Sequence, residues 1–152
     1  MPNFEEILSF ADRMKKLYVK TCREVCEKYG FTQIEFDIIG FLGDKNGSDT
    51  AIEIAKSRLI KKANISTSVE RLTKKGYVKR RTDSKDRRLI HLELTEKATE
   101  ALYDIKKSQE KFSSMFFSGI GEEDIGIYKK ITEKLIIGME ENLKNNDEGC
   151  VY

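Results

Sequence analysis

The residues best placed for chemistry in this 152-residue chain are cations. Arg81 to Arg88 reads RTDSKDRR, and Asp86 stands two residues before Arg88. A carboxylate at that spacing can hold a guanidinium extended, which reduces the rotamer entropy lost on insertion into a narrow, negatively charged groove. The wider run from Arg58 to Arg88 holds 12 basic and 3 acidic residues, a local charge of +9. The remainder carries 16 basic and 23 acidic residues, or −7, although the whole chain is only +2. A field concentrated in this way suits a phosphate-rich partner.

Few residues could do acid–base or covalent work. His91 is the one histidine, and strand alternation around it predicts a solvent-facing side chain. No Ser–His pairing, phosphate-cradling glycine loop or metal cluster accompanies it, so neither an enzyme nor a cofactor is expected. One histidine also leaves a structural zinc site short of ligands. Cys22, Cys26 and Cys150 are an odd set, which does not suggest a disulfide framework. Cys22 and Cys26 are four apart and share a helix face, as inert thiols or, in the alternative, as a redox pair.

The elements that must position the basic run follow from hydrophobic spacing. Phe4, Ile7, Leu8, Ala11, Met14, Tyr18, Cys22, Val25 and Tyr29 step by three or four, which predicts a long amphipathic helix ended by Gly30. TQIE opens a second helix with a capping box of Thr32 and Glu35, carrying Ile34, Ile38, Phe41 and Leu42. Gly43 and DKNGSD read as a loop. TAIE repeats the capping spacing with Thr50 and Glu53, and a short helix reaches about Arg58. After the tight connection RLIK, another helix runs from about Lys62 to Lys75 and ends at Gly76.

YVKRR and LIHLELT are predicted strands around the loop TDSKDRR, with Ile90, Leu92 and Leu94 on the buried face. Thr95 is expected to cap a further helix bearing Ala98, Ala101, Leu102, Ile105, Phe112, Met115 and Phe116. SGIGEED breaks it, and a last helix carries Ile127, Tyr128, Ile131, Leu135, Met139 and Leu143. KNNDEGCVY reads as a frayed end.

Two helices, a tight turn, a further helix and a hairpin make a winged helix-turn-helix, in which the helix after the turn enters the major groove of DNA. At 100° per residue Ile65, Val69 and Leu72 share a face and must point to the core. Ala63, Asn64, Thr67, Glu70, Arg71 and Lys74 then point outward, with Ser66 on the flank. Asn can pair with adenine, Arg with guanine, and a Thr methyl can touch thymine. Lys61 and Lys62 suit phosphates at the helix entry, and Lys85 and Arg87 suit phosphates beside the wing.

The segments FTQIEFDIIGFL, LTKKGYVKRR, DSKDRR and LELTEKA together resemble the MarR-type family of bacterial transcription regulators. The resemblance runs from Phe4 to about Leu143, and the wing with LTEKA is its most specific part. Lys61 stands where the family often has Ser or Thr, and Leu59 where it usually has Gly. The resemblance implies a mainly α fold with a small β-hairpin wing, residues 1–152 forming a single domain. Within it, residues 31–95 would be the winged helix-turn-helix, and 4–29 and 96–145 the helical dimerisation part.

By the same resemblance, Arg88 is the minor-groove arginine, Asp86 its support, and the helix from Lys62 the recognition helix. The implied activity is that of a homodimeric repressor on a pseudo-palindromic double-stranded operator, released by a small aromatic or anionic effector or by thiol oxidation. The length of the first and last helices supports a dimer independently, because a lone winged helix does not need them. A winged-helix module for protein–protein assembly is the reading from another class. It requires no basic wing, which this chain has. MPNFEEILSF lacks the basic stretch of a signal peptide and no apolar run reaches ~18 residues, so a cytoplasmic chain without a membrane partner is expected.

Overall fold

In the computed structural model the structure describes residues 1–44 and 47–145. The end read as frayed, including Cys150, lies outside the described residues from residue 146 onward. The chain divides into two compact units, Met1–Ser113 and Ser114–Tyr152.

The first unit opens with α1 (Phe4–Tyr29), whose far end is closed by Gly30 at φ 65°, a left-handed value that suits glycine. Its near end is closed by a capping box that the sequence reading missed. Asn3 accepts from the Glu6 N–H at 2.9 Å, and the Asn3 N–H donates to the Glu6 carboxylate at 3.0 Å. Thr32 with Glu35 and Thr50 with Glu53 cap α2 (Gln33–Gly43) and α3 (Ala51–Arg58) reciprocally, as the spacing predicted. Gly43, expected in the loop, is the last residue of α2. A Cβ there would meet the Leu102 side chain of α5 (Ala98–Phe116), which would have to shift to make room.

The connection RLIK turns through Leu59, which holds φ 52° and ψ 42° without being glycine. Its side chain is 80% exposed, so nothing apolar compensates the strained backbone. After it, α4 (Lys62–Lys74) buries Ile65, Ser68, Val69 and Leu72. These meet Phe36, Ile38, Ile39, Ile54 and Ile105 in one core.

The two strands, β1 (Val78–Thr82) and β2 (Ile90–Leu94), pair antiparallel with Arg80 opposite Leu92 and Arg81 opposite His91. The expected alternation holds only in part. Leu92 is buried, Leu94 is half-buried, and Ile90 is exposed because the hairpin has already left the core there. Thr95 does not cap α5, which begins three residues later. Its hydroxyl donates to the Gly76 carbonyl at 2.6 Å and so joins the exit of the hairpin to the end of α4.

The second unit holds α6 (Glu122–Asn145), entered after Gly119 at φ 81°. Phe116, Phe117 and Tyr128 meet edge to face at its start. Ile127, Ile131, Leu135, Ile136, Ile137, Met139 and Leu143 are exposed along α6. No helix among the described residues is long and apolar enough to cross a membrane.

Candidate nucleic-acid interface

α4 begins without a side-chain cap. Lys61 is the N-cap residue and makes no capping bond, so the Lys62 and Ala63 N–H groups at the helix start have no side-chain cap beside two lysines. Such an end attracts anions through its unsatisfied donors and the helix dipole. Lys61, Lys62, Asn64, Ser66, Thr67 and Arg71 are all exposed. The Thr67 hydroxyl donates to the Ala63 carbonyl at 3.0 Å. Ser68, a polar residue not expected inside, is buried between Ile65 and Val69.

Ion pairing sorts the basic run into two groups. Lys74 pairs with Glu70 at 2.9 Å and Lys75 with the buried Glu35 at 3.1 Å. Lys79 and Arg81 both engage Glu93, at 3.1 and 2.5 Å. Those cations are answered within the chain. Among the described residues, Arg58, Lys61, Lys62, Arg71, Arg80, Lys85, Arg87 and Arg88 are in no ion pair. Arg58 ends α3 and Arg80 lies within β1, while the other six lie at the entry and outer face of α4 and at the hairpin tip.

The tip is built by aspartates. One Asp83 oxygen accepts the Lys85 and Asp86 N–H groups at 2.8 and 2.9 Å, and the Asp86 carboxylate accepts the Arg88 N–H at 2.9 Å. Asp86 therefore grips the backbone of Arg88. The expected carboxylate–guanidinium contact does not form, because the Asx turn occupies the near oxygen.

His91 departs from its expected solvent position. Its ring lies between Asp49, 2.6 Å from Nδ1, and Asp83, 2.8 Å from Nε2, with the side chain 16% exposed. Hydrogen bonds donated to Asp49 and Asp83 raise its pKa, while burial and the Arg81 charge oppose them. The His91 bond, together with the Asp86 and Lys85 N–H groups, lowers Asp83 to about 2. Alternation placed His91 on the outer face of the sheet. It gave no sign that the loop before α3 returns to cover that face, although the Leu92 N–H bonds the Asp49 carbonyl at 2.8 Å.

The family model of the MarR family matches residues 29–89, from the end of α1 through the wing. The HTH-type transcriptional repressor MdtR of Bacillus subtilis (strain 168) is 28% identical over 123 residues, covering 81% of this chain and 79% of that protein. A MarR transcriptional regulator from Methanosarcina mazei Go1 has the same fold, with TM-score 0.72 and 26% identity over 92% of this chain and 98% of that one. These likenesses support a MarR-type, DNA-binding transcriptional regulator rather than an enzyme. The S. aureus MepR chain, solved in complex with DNA, shares the MarR fold at TM-score 0.71 and 17% identity, covering 91% of this chain and 99% of that one. Against the MarR frame α3 and α4 form the helix-turn-helix, and β1 and β2 the wing.

Burial shifts both described thiols away from the thiolate form. Cys22 is 1% exposed, and burial raises its pKa. Burial also pushes Cys26 up to about 11, helped by neighbouring negative charge. Both shifts deplete the thiolate that oxidants attack.

Proposed function

We propose that the chain acts as a homodimeric repressor in the cytoplasm, placing α4 in the major groove of a pseudo-palindromic operator and Arg88 in the adjacent minor groove. The observation that carries this reading is the sorting of the cations. Lys61, Lys62, Arg71, Lys85, Arg87 and Arg88 are exposed and in no ion pair, whereas Lys74, Lys75, Lys79 and Arg81 are paired with Glu70, Glu35 and Glu93. In this reading Asn64, Ser66, Thr67 and Arg71 meet base edges, and the lysines with Arg87 meet phosphates. Asp86 supports Arg88 through the backbone bond. Repression agrees with the activity of the relative MdtR, a transcriptional repressor.

A second copy would cover the apolar residues left open on α1, including Phe4, Ile7, Leu8 and Phe10, and those along α6. The release signal is a small aromatic or anionic ligand. Lys107 and Lys111, which are in no ion pair, support that signal in a groove of about 300 Å³ between α1 and α5 that also holds Glu24 and the Lys28–Asp104 pair. The raised thiol pKa values weigh against oxidation. Replacing Cys22 and Cys26 by Ala is expected to leave release intact, and loss of a peroxide response would reverse that choice.

The test is retention of labelled random-sequence duplex at low salt, followed by selection of bound sites. Retention is expected to fall steeply with salt, at about −0.9 in log–log slope per phosphate neutralised. Selected half-sites are expected about one helical turn apart, ~34 Å. Unchanged DNA mobility at low salt would sink the DNA reading, and single half-sites would sink the dimer.

A further inference from the structure

The wing is tied to the helix-turn-helix through one imidazole. Asp49, in the loop before α3, donates its N–H to the Glu53 carboxylate at 2.9 Å and holds β2 through its carbonyl. Its side chain meets His91 Nδ1. His91 Nε2 meets one oxygen of Asp83, and the other oxygen of Asp83 gathers the Lys85 and Asp86 N–H groups. Asp86 then fixes the Arg88 N–H. A continuous line of hydrogen bonds thus runs from the start of α3 to the wing tip. None of it consumes the charged ends of Lys85, Arg87 or Arg88.

An ionised carboxylate only accepts hydrogen bonds, and a neutral imidazole donates only one. Both aspartates are satisfied together only when both ring nitrogens carry protons. Loss of one proton leaves one carboxylate facing a nitrogen lone pair.

We propose that doubly protonated His91 is a positioning residue for the wing tip, and that its deprotonation loosens the tip and weakens DNA binding. The proposal rests on the DNA-binding reading above. Asp49 from the loop and Asp83 from the wing favour the protonated ring, as does Glu53 of α3, whose own pKa is lowered in part by His91. Arg81, opposite on β1, disfavours it, and its charge is shared with Glu93, which also holds Lys79. The balance is a raised pKa for His91. The tie is therefore complete below the ordinary histidine value of about 6.5, and it is lost as pH rises through the higher folded value.

The single histidine makes the test direct, because this chain gives one imidazole signal. Its NMR titration without DNA is expected to show a midpoint above about 6.5. The Lys85 and Asp86 amide signals should shift with the same midpoint. Asp49→Asn should lower that midpoint and carry the amide shifts with it. Affinity for a labelled random-sequence duplex at fixed low salt should fall on the order of tenfold through the titration, the size of one lost charge-assisted hydrogen bond. His91→Gln should flatten that profile.

A midpoint at or below the ordinary value, tip amides that ignore the titration, or a His91→Gln variant with the wild-type DNA profile would each overturn the proposal. Tip amides that follow His91 in a protein binding no DNA at any pH would leave the tie standing and overturn the DNA reading alone.

Discussion

Arg88 gives its backbone N–H to the Asp86 carboxylate at 2.9 Å, and its guanidinium has no acidic partner among the described residues. The acid two residues before the arginine sets the direction of the chain and leaves the charge free. This distinction separates two variants. Asp86→Asn keeps an oxygen that can accept the N–H, so it should bind DNA almost as wild type does. Asp86→Ala should bind several-fold more weakly, and Arg88→Ala weaker by about 1–3 kcal/mol, with unfolding midpoints unchanged. Titration of a labelled duplex checks all three. Equal losses for Asp86→Asn and Asp86→Ala would mean that the negative charge matters.

The start of α4 and its inner face should respond differently. Ile65 is fully buried, and Ile65→Ala should cost about 2–5 kcal/mol in denaturant unfolding. Lys61 is exposed at the open helix end, so Lys61→Ala should leave unfolding unchanged. It should instead reduce the salt slope of DNA binding by about one phosphate's worth. A Lys61→Ala protein with the wild-type slope would remove Lys61 from the DNA contact.

Leu59 turns the helix-turn-helix at φ 52° with its side chain in solvent. Glycine adopts that conformation without a Cβ clash, and little packing is lost. Leu59→Gly is expected to stabilise the fold by up to about 1 kcal/mol, while the β-branched Leu59→Val should destabilise it. Denaturant midpoints at one protein concentration decide this, because the stability of a dimer would depend on concentration. A destabilised Leu59→Gly would show that the exposed leucine has a contact worth more than the strain.

The sequence disclosed what is local. Thr32 with Glu35, Thr50 with Glu53, and Gly30 carry their geometry in three or four residues, and Ile65, Val69 and Leu72 carry the inner face of α4 by period alone. The basic run was visible too, but its division into answered and unanswered cations was not. Lys75 finds Glu35 across 40 residues, and Lys79 and Arg81 find Glu93 only once the hairpin register exists. His91 was misplaced for the same reason, since Asp49 reaches it from 42 residues away. Gly43 looked like a loop residue until Leu102 approached it from α5.

Asp37 offers a last test of a contact invisible in sequence. It lies buried on α2, where Oδ1 accepts the Tyr18 hydroxyl at 2.5 Å and the Gln33 amide at 3.3 Å. Burial raises its pKa, and the bonds from Tyr18 and Gln33 with the Arg58 charge offset this only in part. A carboxyl with a raised folded pKa binds its proton more tightly in the native state than in the unfolded chain. It therefore opposes folding at neutral pH, and this cost disappears as pH falls below both values. Asp37→Asn retains a carbonyl that can accept both bonds and removes the charge. The variant should be more stable than wild type at pH 7, and its advantage should shrink toward zero near pH 4, around the ordinary aspartate value of about 3.9. Paired unfolding curves across that range measure the difference. A variant less stable than wild type at pH 7 would show that the ionised carboxylate gains more from Tyr18, Gln33 and Arg58 than burial takes away.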